Sequence, residues 1–296
     1  MASVASALSS AEARLRVENV ELREGRRLAV HSRIHPSSPH LILFIHGSCG
    51  SLVQWSHQLD HMARGASVVA CDLYGCGRSE KPRNWAAYHS AALLLDLHAL
   101  LDRFARNTDI KRVLVGHSAA AGFALKLALQ QQAADTPSRL RVHGVVAISA
   151  LDAVPPTVNL FRLPLCLLEK MQPALSAGFA ASALHEATRA CTTEEQKELL
   201  ALSDAVNAAN PMHMCKAYYR QLQLPSLKEV AAVRLPVMLI AGEADKVVAP
   251  SASSRLAAAI GSERAEVHVL PLASHQVMQE QPMAVNSLLD RFLERV

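Results

Sequence analysis

The stretch Val113-Leu114-Val115-Gly116-His117-Ser118-Ala119-Ala120 decides the reading. Its apolar, β-branched start reads as a buried strand, Gly116 marks a sharp turn, and a run of small residues then opens a helix. A serine on such a turn has its hydroxyl exposed at the carboxyl edge of a sheet. The backbone N–H that follows then points at whatever the hydroxyl attacks. A serine ahead of a helix is also an ordinary N-cap; the strand-turn-helix context favours the nucleophile.

Outward from that turn, short apolar runs alternate with helical patterns, the signature of a parallel sheet with crossover helices. Strand-like runs are 41–45, 67–71, 112–115, 142–149, 236–241 and 266–270. Most are continuously apolar, as strands covered on both faces should be. Ahead of them, 16–21 and 27–33 flank Arg23-Glu24-Gly25 and read as an antiparallel hairpin. Helical patterns cover 52–63, 85–104, 119–131, 249–260 and 277–293. The expected fold class is α/β, a mostly parallel central sheet of about eight strands with helices on both faces.

Residues 152–234 break the alternation. They hold no convincing strand and contain Pro155, Pro156, Pro164, Pro173, Pro211 and Pro225, with a helical pattern at 184–202 between them. About 80 structureless residues inside a compact domain would be improbable. The stretch reads instead as an inserted helical cap over the carboxyl edge of a core made of 16–151 and 235–296, with 1–15 an N-terminal tail.

Composition sets the outer limits. The 296 residues are half hydrophobic and 19% charged, with a net charge of +4. Basic residues occur as scattered pairs such as Arg26-Arg27 and Lys111-Arg112, not as the dense stripe of a nucleic-acid binder. Six cysteines (49, 71, 76, 166, 191 and 215) form no C-x-x-C pair, so free thiols in a reducing compartment are expected. Met1 to Ser10 lacks the continuous apolar core of a secretory signal, and no apolar run approaches the ~20 residues that span a bilayer. The expected location is cytoplasmic, with Arg14 and Arg16 leaving an organelle-targeting reading open.

A serine hydroxyl is a poor nucleophile without a base, and on this architecture the partners should follow in the order Ser, Asp or Glu, His. Asp245 stands just past the run ending at Ala241, and His275 just past the run ending at Leu270. His275 would take the serine proton and return it to the leaving group; Asp245 would fix the imidazole tautomer. Asp152, after another strand end, is the substitute acid. Acyl transfer also needs N–H donors for the developing oxyanion, assigned to the backbones of Ser48 and Ala119. Gly47 and Gly50 let the loop carrying Ser48 come close. His46 is expected to be a structural hydrogen-bonder, and the histidine spacing implies no metal.

The motifs His46-Gly47-x-x-Gly50, Asp72-x-x-Gly75-x-Gly77-x-Ser79, Gly116-His117-Ser118, Gly242-Glu243-x-Asp245 and His275 followed by Glu280-Gln281-Pro282 resemble those of α/β-hydrolase fold serine hydrolases, in the branch of cofactor-free abhydrolase-domain esterases and lipases. The resemblance runs from about Leu41 to the C-terminus. It implies no cofactor, a structural role for 72–79, and a lid role for 152–234. One departure is that Ala120 and Ala121 stand where the family usually has glycines, which puts the tightness of the turn in question.

Ser118 excludes the haloalkane dehalogenase and epoxide hydrolase chemistries, which use an aspartate there. The expected reaction is cleavage of a carboxylic ester or thioester through an acyl-enzyme. The expected partner is a small or lipid-like acyl ester, with Cys49, His117, Phe161, Leu165 and Tyr218 as pocket wall. The apolar stretch 158–168 suits an acyl pocket, cap packing or contact with a lipid surface. The alternatives are a catalytically silent binding or partner-interaction relative and a proline iminopeptidase-like peptidase. Oligomeric state is left open.

Overall fold

Five strands are buried almost end to end: β3 (His40–Ile45), β4 (Ser67–Cys71), β5 (Lys111–His117), β6 (Gly144–Ile148) and β7 (Val237–Gly242). That burial on both faces explains their continuous apolar sequences. A computed structural model of the chain describes residues 15–35, 37–104, 110–132, 140–190 and 192–296. The N-terminal tail up to residue 14, Cys191 and Arg139 lie outside the described residues. With β1 (Arg16–Arg23), β2 (Arg26–Arg33) and β8 (Ala265–Leu270), the strands form one eight-stranded sheet in the order β1-β2-β4-β3-β5-β6-β7-β8. β1 and β2 make the expected hairpin, and β2 also runs antiparallel to β4. All later pairings are parallel.

Alternate residues of one strand serve opposite cores, because successive side chains point to opposite faces. Leu43 and Ile45 pack with Leu97, Phe123 and Leu256, while Ile42 and Phe44 pack with Trp55, Leu59 and Phe292. The first set comes from α2 (Ser90–Phe104), α3 (Ala119–Gln131) and α9 (Ser251–Ile260). The second comes from a 3-10 turn at Leu52–Trp55, α1 (Ser56–Met62) and α11 (Pro282–Arg295). The helix expected over 277–293 is broken at Gln281 into α10 (Val277–Glu280) and α11. Pro282 crowds the helical conformation of the residue before it, and Gln281 takes φ −127°, ψ 55° instead.

Between β6 and β7 the described residues hold no strand. Their helices are α4 (Leu165–Ala183), α5 (Glu186–Arg189), α6 (Glu194–Ala208), α7 (Met212–Arg220) and α8 (Leu227–Val230). One expectation fails here. The pattern over 184–202 is not one helix: Leu184 is extended, and α6 begins afresh at a capping box of Thr193 with Gln196. Pro173 lies inside α4. The carbonyl it deprives of a helical donor belongs to Glu169, an exposed residue where water can substitute.

Candidate active site

β5 delivers Ser118 to the carboxyl edge of the sheet in a strained conformation, φ 57° and ψ −126°. Such outliers cost about 1–3 kcal/mol and persist only where the surroundings hold them. Here the Ser118 N–H donates to the carbonyl of Ile148 on β6 at 2.8 Å, and α3 starts at the next residue. A Cβ on Gly116 would stand 2.5 Å from the Ala120 carbonyl oxygen and 2.8 Å from the Ala121 Cα. The closest approach in the turn therefore falls on Gly116, and Ala120 and Ala121 are accommodated, fully buried, beside it.

His275 follows β8, and its Nε2 lies 3.1 Å from Ser118 Oγ. Its Nδ1 lies 2.9 Å from Asp245 Oδ2, at the end of β7. The other oxygen of Asp245 accepts from the N–H groups of Val247 and Val248, each at 2.8 Å, which fixes the carboxylate against rotation. Asp152 is not part of this arrangement; it accepts from Arg255 Nε. The carbonyl of His275 accepts from Ser149 Oγ and from His117 Nε2, both at 3.0 Å.

The loop after β3 faces Ser118. Its turn closes by a 3.0 Å bond from the Gly50 N–H to the Gly47 carbonyl. His46 Nδ1 donates to that same carbonyl at 2.8 Å, and His46 Nε2 accepts from the Leu73 N–H at 2.8 Å. His46 is thus a structural hydrogen-bonder, and burial lowers its pKa. Cys49 adopts φ 52°. Asp72 accepts from Ser51 Oγ, the Leu52 N–H and the Arg78 N–H at 2.7–2.8 Å, locking this loop to the next. Among the described residues no hydrogen bond is donated by the N–H of Ser48 or of Ala119.

A cavity of about 480 Å³ opens onto Ser118 and His275. Leu160, Phe161, Leu175, Phe179, Leu202 and Val206 give it an apolar wall, and Lys246 is its only Lys, Arg, Asp or Glu among the described residues. Of the expected pocket residues, Cys49, His117 and Phe161 line it, as does Ser48; Leu165 and Tyr218 do not. Leu165, at the start of α4, packs against the core instead. Tyr218 is buried with its hydroxyl accepting from Ser48 Oγ at 3.1 Å, and its neighbour Tyr219, turned about 100° around the helix, faces the cavity.

Charge inside the site is kept low. Burial pushes His117 well below the usual histidine range, and the adjacent His275 adds to this. The Cys49 thiol is pushed well up by its hydrogen bond to Cys215, whose sulfur is 3.6 Å away, and by burial. It is therefore a poor thiolate source. No cluster of three or more His, Cys, Asp or Glu among the described residues is placed to hold a metal ion. None of their helices is long and apolar enough to cross a membrane. Sequence reasoning missed Asn210, which lines the cavity, and gave no role to Glu280, which accepts from the N–H groups of Ser274 and His185 at 2.6 Å. Glu280 had a signal, its place in the motif after His275; Asn210 had none.

The sheet order, the turn at Ser118 and the cavity at the carboxyl edge define an α/β hydrolase. The chain belongs to the family described as serine aminopeptidase, S33, whose model matches residues 36–282. Protein ABHD8 of Homo sapiens is 34% identical over 261 residues, covering 86% of this chain and 55% of that protein. The chain thus spans about half the length of these curated relatives. Epoxide hydrolase 3 of Xenopus tropicalis is 27% identical over 268 residues, 86% of this chain and 71% of its own length. Among solved structures, a thermophilic esterase from Thermogutta terrifontis superposes with a TM-score of 0.76 at 18% identity, over 95% of this chain and 98% of its own.

Proposed function

We propose that the protein is a cofactor-free serine hydrolase that cleaves a carboxylic ester or thioester. The observation that carries the reading is the hydrogen-bonded line Asp245–His275–Ser118, ending at an apolar cavity. Ser118 Oγ attacks the acyl carbonyl while His275 Nε2 takes its proton, and the N–H groups of Ser48 and Ala119 receive the oxyanion. His275 passes the proton to the departing alkoxide or thiolate. Water, deprotonated by His275, then releases the acid and restores Ser118. Asp245 keeps Nε2 free to accept by holding the proton on Nδ1.

The wall of leucines, valine and phenylalanines supports a small or lipid-like acyl group, and residues 152–234, as the cap, select it. An aminopeptidase would have to pair its substrate's ammonium group, and the described lining offers no carboxylate. The epoxide hydrolase route needs a carboxylate nucleophile where this chain has Ser118. A fluorophosphonate probe tests the assignment: it should label the wild-type protein and leave Ser118→Ala unlabelled. Failure of the first would favour a catalytically silent binding protein, and equal labelling of the second would overturn Ser118 as the nucleophile. A series of p-nitrophenyl esters of increasing chain length then measures the acyl preference.

A further inference from the structure

Three contacts from the segment between β6 and β7 converge on Ser48 and Cys49. Tyr218 accepts from Ser48 Oγ, Cys215 lies against the Cys49 sulfur, and Asn210 Nδ2 donates to the Cys49 carbonyl at 2.5 Å. Asn210 is buried in the turn between α6 and α7, and its Nδ2 also donates to the Val206 carbonyl at 3.0 Å. Both neighbours are carbonyls, which can only accept, so the orientation of the amide is fixed.

The Cys49 carbonyl belongs to the peptide whose N–H is that of Gly50. The Gly50 N–H donates to the Gly47 carbonyl, and that peptide carries the N–H of Ser48. The groups therefore form one directed chain: Asn210 amide, Cys49–Gly50 peptide, Gly47–Ser48 peptide, oxyanion. Each bond in such a chain polarises the next, so a donor at its start strengthens the donor at its end. It also holds Cys49 at its unfavourable φ of 52°, without which the loop would relax.

We propose that Asn210 is a positioning residue that orients and polarises the Ser48 N–H through two peptide units. The inserted segment thereby completes the oxyanion hole as well as covering the pocket. The inference rests on the serine hydrolase reading for its catalytic consequence, but the relay itself is a property of the resting protein.

Two readouts separate the two. In Asn210→Ala, kcat on p-nitrophenyl butyrate should fall about 10–100-fold, less than or comparable to outright loss of an oxyanion donor. KM should stay within about twofold, and affinity for an alkyl boronic acid, which mimics the tetrahedral adduct, should fall by the same factor as kcat. Asn210→Asp, which keeps the shape but not the donor, should lose at least as much. The pH midpoint of kcat/KM should not move, since Asn210 touches none of Ser118, His275 and Asp245. By NMR, the amide protons of both Gly50 and Ser48 should shift upfield in both variants. If wild type has no Ser118-dependent esterase activity, the hydrolase reading fails while the amide shifts still decide the relay. Unmoved Gly50 and Ser48 resonances, or kcat retained within twofold in an active enzyme, would overturn the proposal.

Discussion

His117 Nε2 donates to the main-chain carbonyl of His275 at 3.0 Å, so the residue before Ser118 holds the loop that carries His275. The two rings also lie 4.7 Å apart between centroids. Burial keeps His117 neutral, with its proton on the nitrogen that faces the carbonyl. His117→Phe keeps a ring but loses the donor, leaving Ser149 Oγ as the other donor to that carbonyl. Stability should fall by about 0.5–1.5 kcal/mol, the net worth of one hydrogen bond, and kcat should fall more than the melting curve alone explains. Combining it with Ser149→Ala should cost more than the sum of the two single changes, because they share a partner. Strict additivity in kcat would show that the carbonyl does not orient His275.

The two candidate acids are separated by what they touch. Asp245 reaches the His275 ring, whereas Asp152 reaches the surface residue Arg255. Asp245→Asn should lower kcat by about 10⁴-fold, the scale on which a mispositioned imidazole tautomer acts. Asp152→Asn should leave kcat within about twofold, and its exposed ion pair should contribute little to the melting temperature. A larger kcat loss from Asp152→Asn than from Asp245→Asn would reverse the assignment.

What could be read from sequence follows the physics of each region. Leu41 to Ile45 and Val113 to Val115 are legible because a strand buried on both faces must be apolar throughout. Ser118, Asp245 and His275 are legible because a parallel sheet presents its strand ends at one edge, whatever the connections do. The segment between β6 and β7 obeys no such rule. Whether Tyr218 or Tyr219 faces the cavity depends on the rotational phase of α7, which Pro211 sets by starting the helix at Met212. Asn210 acts on Cys49, 161 residues away in sequence, and no local pattern encodes that pairing. Pro173 gives no helix boundary, because it sits where its lost bond faces water.

Glycines separate into required and incidental ones. A Cβ at Gly242 would fall 2.2 Å from the Ser274 carbonyl oxygen and 2.7 Å from that of Ala273. Those atoms are backbone, so Gly242→Ala must push the His275 loop off β7. A stability loss of at least the ~1–3 kcal/mol of overpacking is expected, with kcat reduced as His275 leaves Ser118. Gly178, inside α4, meets nothing within 4 Å. Gly178→Ala should raise stability by about 0.5–1 kcal/mol through helix propensity. Chemical denaturation of both variants checks the contrast, and an unaffected Gly242→Ala protein would contradict the close approach.

Acid should destabilise the protein before its carboxylates are neutralised. Burial lowers the pKa of His46 and His117, and His143 is pushed down to about 4 by burial together with Lys111, Arg112 and Arg141. The unfolded chain therefore takes up protons first as pH drops below the ordinary histidine value of about 6.5. Stability falls from there, and for His143 the fall ends near pH 4, where the native state is protonated as well. His143 Nδ1 accepts from the Arg112 N–H at 3.1 Å, a bond that protonation removes. His143→Gln offers an amide oxygen for that N–H and cannot titrate. Its urea midpoint should decline less steeply than that of wild type between pH 6.5 and 4, with the two curves parallel above pH 7. Parallel curves through the acid range would mean that His143 protonates equally easily folded and unfolded.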